Sequence, residues 1–397
     1  EGNRGQQLHE DVERWAGGVL ERVADRVADH GRGMGVGLLA EDVPGGVLEV
    51  PGLDPGKILN YHPEMHYRRL GKTGLVLSEI SLGGHWRNRG ASFVAMTDDE
   101  LPADVAKHRT DVVSACIDAG VNYLDITTAA ECLAYGAALK GRREKMIIGA
   151  DDHRLCPRSP ANRTVQAQIH NVDECLRRLQ TDYLDIWRVQ ARQAGGHTDD
   201  EVAVWIEAFQ KIHQAGKARH FGISTHTRPW MQHVLEKFPE VEMVIFPCTA
   251  RTREKGAPLT AANVEEGNMP AAWTADLSTS IFQTIREKNV GLVTIKPFIG
   301  GQLFPPLGPE GPAPGVGNKQ ENELARLTLQ CILTNDAITA TVPGMDTVYQ
   351  VENAARASYK RALGMTPAEQ QWLARVTQQQ WNNLPERYQW LCDWEVV

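Results

Sequence analysis

Carboxylates, imidazoles and cations recur at the ends of short β-rich runs, where a parallel sheet would gather them at one edge. Asp125 closes one such run, Asp151-Asp152-His153 another, Arg188 and Gln190 a third, and Ser224 with His226 a fourth. His85, Glu131 and Lys296 hold comparable positions. Carboxylates beside an arginine and an imidazole suit acid–base chemistry, because environments that push their pKa values apart let one group donate a proton and another accept it. Arg188 and Gln190 are two residues apart, so on a strand they share a face. An arginine on an inward face requires a carboxylate partner, and Asp125 and Asp151 are the nearest candidates. Mixed carboxylate and imidazole sets also suit Zn, Mn or Fe, but no His-x-His or His-Glu-x-x-His spacing supports a metal and no ligands are assigned. The glycine-rich run at 33–37 lacks the strand-to-helix context of a dinucleotide fingerprint.

The elements that would position these residues follow a regular alternation. β-rich runs fall at 79–83, 123–127, 146–150, 183–189, 220–224, 243–248, 292–296 and 338–342. Helix-period segments separate them, among them 104–119, 165–180, 199–215, 280–289 and 321–333. Eight strand–helix units predict an α/β fold, a (β/α)8 TIM-type barrel, in preference to a doubly wound sheet. The long connections 249–279 and 298–319 each follow a strand and so belong over the C-terminal face, where barrel active sites lie. Residues 1–66 read as an N-terminal extension. Leu8, Val12, Trp15, Val19, Val23 and Val27 mark an amphipathic helix, and a Gly/Pro-rich segment follows. The barrel is expected over 67–364. A C-terminal helix and tail at 365–397 carry Trp372, Trp381, Trp390 and Trp394, a density that suits packing on the barrel or a subunit contact.

Composition narrows the class. The 397 residues carry 42 Lys plus Arg against 50 Asp plus Glu, a net charge of −8, with no basic run to hold nucleic acid. The longest apolar stretches, such as 243–248, are far too short to span a bilayer. Seven cysteines show neither a Cys-x-x-Cys pair nor zinc spacing and read as small buried hydrophobes. A chain beginning with Glu1 leaves the compartment open between cytoplasm and export after leader removal. The partners expected are a small-molecule substrate and, through the two chain ends, a second copy or a larger complex.

Several runs together carry a family resemblance. YRRLGKTGLVLSEISLGG at 67–84 resembles the opening hairpin and first strand of aldo-keto reductases. AGVNYLD at 119–125, LKGRREK at 139–145, TDYLDI at 181–186 and GKARHFGIS at 216–224 resemble successive later units in collinear order. Val342-Pro-Gly344 with Glu352-Asn353 is similar to the cofactor-side eighth unit. The resemblance implies a barrel that reduces carbonyls with NAD(P)H, using an Asp, Tyr, Lys and His at its mouth. It also implies cofactor contacts from Ser224, Gly344, Glu352 and Asn353.

Three of the four expected mouth residues do not match. Asp125 aligns with the aspartate, but the loop that would carry the tyrosine is shorter, and Tyr135 falls inside the next helix at a core position. The lysine position reads Asp151 and the histidine position Gln190. A carboxylate raises the pKa of a neighbouring acid, so Asp151 cannot stand in for a lysine. Thr225 and Ile245 replace two further cofactor contacts, and Asp346 would repel a 2′-phosphate, which favours NAD over NADP and weakens both. Three readings stand. One is a repurposed acid–base enzyme acting on a polyol or sugar-like substrate through Asp125, Asp151, Arg188 and Gln190. Another is an atypical NAD(P)-linked oxidoreductase whose proton passes through Glu131 or His226. The third is a non-catalytic barrel subunit or binding scaffold.

Overall fold

A computed structural model describes residues 53–84, 97, 99–193, 196–254, 279–304 and 319–397. The expected N-terminal helix, His85 and most of the two long connections lie outside the described residues. A short hairpin, β1 (Tyr67–Arg69) and β2 (Val76–Ser78), precedes eight parallel strands. These are β3 (Leu82–Gly83), β4 (Tyr123–Ile126), β5 (Ile147–Ala150), β6 (Leu184–Gln190), β7 (Ala218–Ser224), β8 (Met243–Pro247), β9 (Gly291–Ile295) and β10 (Ala340–Val342). They pair in chain order from β3 to β10. Ile80 and Thr341 bridge the first strand's approach to the last, with Ser81 N–H on Thr341 O at 3.0 Å and Thr341 N–H on Glu79 O at 2.9 Å. The sheet therefore closes into the expected (β/α)8 barrel.

The described helices are α1 (Ala103–Asp118), α2 (Ala129–Ala138), α3 (Val165–Leu179), α4 (Asp199–Gln214), α5 (Arg228–Lys237), α6 (Ile281–Lys288), α7 (Lys319–Ile332), α8 (Val348–Tyr359) and α9 (Pro367–Asn382). Local chemistry sets several starts. Thr128 with Glu131, Thr198 with Glu201 and Thr366 with Glu369 form reciprocal capping boxes at α2, α4 and α9. Every residue of β6 is buried, as expected for a strand covered on both faces.

Two cores result. Leu70 and Leu77 of the hairpin pack with Tyr123, Ile186, Met243 and Val293 inside the barrel and plug its lower end. A larger shell, including Trp187, Trp205 and Trp230, lies between strands and helices. A Cβ on Gly149 would lie 2.3 Å from the Tyr123 hydroxyl, so a glycine is needed where that ring crosses β5. With its lower interior filled, the barrel is open to chemistry only at its C-terminal end.

Candidate active site at the barrel mouth

Arg188 lies on β6 in the same facing as Ile186, an inner-core residue, and its guanidinium fills the upper interior. Nε donates to Asp125 Oδ1 at 2.8 Å, Nη1 to Ser224 Oγ at 3.0 Å, and Nη2 to Ile126 O at 2.8 Å. The side chains of Arg188 and Asp125 are 2% and 7% exposed, so this pair is largely shielded from solvent. The Tyr123 hydroxyl adds a 3.4 Å contact to the same carboxylate oxygen. Burial pulls the Arg188 pKa down, but the adjoining Asp125 carboxylate leads the influences that outweigh it and raise it above its ordinary value.

Asp151 does not share that arginine as a direct partner. Its carboxylate is turned toward Asn171 Nδ2 (2.6 Å), Trp187 Nε1 (3.4 Å) and the backbone N–H of Gln190 (2.9 Å). Of the two candidate partners it is Asp125 that pairs with Arg188; Trp187 faces the outer shell, and the polar groups available there engage Asp151 instead. Full burial pushes the Asp151 carboxyl up to about 7, against the opposing pull of Arg188 and its hydrogen-bond donors. Gln190 remains at the mouth, its Nε2 donating to Thr127 O and Asp151 O, each at 3.0 Å.

Glu131 caps α2. It accepts the Thr127 N–H at 2.7 Å, the Thr128 N–H at 3.2 Å and the Thr127 hydroxyl at 2.9 Å. Asp152 is engaged by the Arg154 side chain at 2.9 Å, and His153 is exposed beside it. Among the described residues, no group of three or more His, Cys, Asp or Glu side chains could hold a metal ion. Tyr135 is a core residue as expected, donating to Gly83 O at 2.8 Å while accepting from Arg109 at 2.7 Å.

Above the Asp125–Arg188 pair lies a cavity of about 540 Å³, in the size range of small-molecule sites. Ile245, Ile295 and Val342 form apolar parts of its lining, and Thr127, Gln190, Gln193 and Thr225 supply hydrogen-bonding groups. His226 lines it from the end of β7, with its ring stacked on Trp390 at 4.3 Å and 12°. Burial, then the cations Lys296 and Arg158, hold the imidazole pKa well below its ordinary value, so the ring is neutral at pH 7. Ser224, Gly344 and Asn353 all line the same cavity, toward α7 and α8 in the case of Asn353, which donates to Asn322 O at 2.9 Å. Glu352 is exposed and does not line it, so that cofactor expectation is not met in the geometry.

The C-terminal tail contributes more than packing. Tyr388 lines the cavity, and Trp394 Nε1 donates to His226 O at 3.0 Å. Gly300, at φ 63°, lies where a Cβ would meet the Tyr388 ring at 2.4 Å, so this left-handed turn and the tail wall require each other. Arg158, Gln193 and Tyr388 are lining residues that sequence reasoning missed. Arg158 and Gln193 follow β5 and β6 on the active face, a signal that strand order alone could have supplied. Nothing in the tail's sequence marks Tyr388 as a wall of the site.

The fold is a (β/α)8 barrel with its cavity at the C-terminal end, and a sequence profile of the aldo/keto reductase family matches residues 84–363. The chain belongs to that family. Among curated proteins it is similar to L-galactose dehydrogenase of Arabidopsis thaliana, with 25% identity over 335 residues, 79% of this chain and 93% of that one. It is also similar to 6-dehydroglucose reductase of Novosphingobium aromaticivorans, with 28% identity over 228 residues, 52% of this chain and 68% of that one. Among solved structures, the holo form of an aldo-keto reductase from Bacillus halodurans superposes with a TM-score of 0.52 at 23% identity, covering 79% of this chain and 96% of that one. An aldo-keto reductase from Klebsiella pneumoniae in complex with NADPH gives 0.54 at 17% identity, covering 79% and 95%. These two share the fold.

Proposed function

We propose that this chain is an NAD-linked oxidoreductase that interconverts a secondary alcohol and a carbonyl on a sugar-like polyol, with His226 carrying the proton. The observation that carries the reading is the continuity of one cavity from the Asp125–Arg188 pair, past His226, to Gly344 and Asn353. The names of the two curated relatives, a sugar dehydrogenase and a dehydro-sugar reductase, support a polyol as substrate. A nicotinamide dinucleotide fits this lining: Ser224 stands at one end, and Gly344, where added side-chain atoms would meet nothing within 4 Å, leaves the backbone open to close approach at the other. Asp346 lines that second end, and among the described residues the lining there has no Arg or Lys, which suits the ribose hydroxyls of NAD better than a 2′-phosphate. Bound there, NAD would supply the hydride acceptor.

The chain's own residues would do the rest. His226, neutral and held in orientation by Trp390, accepts the proton that the hydroxyl loses in oxidation and returns it in reduction. Arg188 lies at the cavity floor with its charge fixed, where it favours the alkoxide that develops as the proton leaves. Asp125 and Ser224 hold the guanidinium in place, a positioning role. Gln190 and Thr127 offer partners to neighbouring hydroxyls. Glu131 and Asp151, engaged by backbone and buried side chains, act as supports of the mouth.

The test is oxidation of a panel of aldoses and polyols with NAD⁺ or NADP⁺, followed by reduced-nucleotide absorbance. NAD⁺-dependent turnover that falls about 10²-fold or more in His226→Gln is expected. No turnover with either nucleotide, together with no nucleotide binding, would favour the scaffold reading instead.

A further inference from the structure

Among the described residues, two cations of the cavity have no acidic partner. Lys296 follows β9 and Arg158 lies in the loop after β5; both line the cavity, and neither forms an ion pair with any described residue. Arg158 Nε donates to Ala191 O at 2.9 Å. Lys296 lies 5.8 Å from the centroid of the Trp390 ring. The acid nearest in effect to Arg158 is Asp151, already occupied by Asn171, Trp187 and Gln190. By contrast, Arg188 in the same cavity is matched by Asp125. Half-buried like charges that repel one another without a counter-ion are costly to a fold, and such costs concentrate where a ligand relieves them.

The backbone at Lys296 points the same way. Its φ is 58°, and Ile299, a β-branched residue, sits at 56°. Both are conformations that side chains other than glycine rarely adopt, so the turn holding the lysine at the cavity is strained in its own right.

We infer that Arg158 and Lys296 form an anion-binding subsite in this cavity, and that the polyol substrate carries a carboxylate or phosphate that pairs with them. This rests on the reading of the cavity as a substrate site. The forked guanidinium and the mobile ammonium are complementary donors for such a group. The hydroxyl-bearing part of the substrate would then extend toward Gln190 and His226. The substrate class becomes an acidic or phosphorylated sugar derivative rather than a neutral sugar.

The test is calorimetric binding to the full chain, which separates binding from turnover. D-gluconate and D-glucose 6-phosphate are the anionic probes, D-glucitol the neutral one, and ADP-ribose reports the diphosphate of a dinucleotide. At least one anionic sugar should bind ten times more tightly than glucitol, with an affinity that falls as salt rises. Lys296→Met and Arg158→Met should each weaken that binding about tenfold or more, with Lys296→Arg retaining most of it. ADP-ribose binding should be unchanged in these variants. The ligand-free Lys296→Met variant should melt no lower than the parent, whereas Arg158→Met also loses the hydrogen bond to Ala191 O. Equal binding of glucitol and both anions, or variants that bind the anions as the parent does, would overturn the assignment. Loss of ADP-ribose binding alone would overturn it too, by moving the anion to the nucleotide. Absence of NAD⁺ turnover beside intact anion binding would instead fault only the oxidoreductase reading.

Discussion

Arg188 and Asp125 meet at 2.8 Å inside the barrel mouth, and the remaining arms of the guanidinium reach Ser224 and the Ile126 carbonyl. The arginine enters from β6, two positions before Gln190, and brings its positive charge to the aspartate of β4. Replacing it with Met would remove the guanidinium that sits on the buried Asp125 carboxylate. Arg188→Met should cost about 3–5 kcal/mol of stability at neutral pH. Acidification should recover part of that loss, since protonating the carboxyl removes a buried charge that the guanidinium no longer offsets. Chemical denaturation at pH 7 and pH 4.5 checks both.

Asp151 makes a separate prediction with its own sign. Its folded pKa of about 7 lies above the ordinary 3.8, so the native state binds the proton more tightly than the unfolded chain. The associated stability is full below pH 4 and is lost as pH rises toward and through 7. Asp151→Asn cannot accept all three donors and should be less stable than the parent at pH 5. Each pKa unit is worth about 1.4 kcal/mol, so the gap should narrow by a few kcal/mol between pH 5 and pH 8. Parallel melting curves across that range would show it.

Glu131 separates support from chemistry. As the capping-box residue of α2 it satisfies two backbone N–H groups and the Thr127 hydroxyl. Glu131→Ala should cost about 1–2 kcal/mol, and Glu131→Gln less. Neither should change the pH dependence of turnover. A shifted pH profile in Glu131→Gln would return this residue to the proton path.

Asp346 should set nucleotide preference. With no cation among the described residues lining its end of the cavity, NADH should bind at least about tenfold more tightly than NADPH, and Asp346→Asn should narrow the difference. Fluorescence titration of the two reduced nucleotides measures both quantities.

Most of the barrel was legible because both of its faces are buried. Runs such as 243–248 and 292–296 lie within a residue of β8 and β9, and the 199–215 helix ends one residue from α4. Arg188 was legible as an inward group through strand parity, and its tie to Asp125 followed from charge. The direction of Asp151 was not, because it depends on where the Trp187 indole and Asn171 amide lie after β5 has ended. The role of the tail was hidden for a similar reason. Tyr388 and Trp390 reach the site only through packing that joins residues 88 and 164 positions apart, Gly300 with Tyr388 and His226 with Trp390.

The pH dependence of kcat/KM for polyol oxidation by NAD⁺ tests the proton carrier most directly. An imidazole held well below pH 6.5 by burial, Lys296 and Arg158 remains the competent neutral base through pH 7 and loses activity only in acid. The account predicts a single acid limb below pH 6.5 in the parent, its disappearance in His226→Gln, and residual turnover about 10²-fold lower. A rate that instead rises on an alkaline limb, unchanged in His226→Gln, would place the proton on another group and contradict the account.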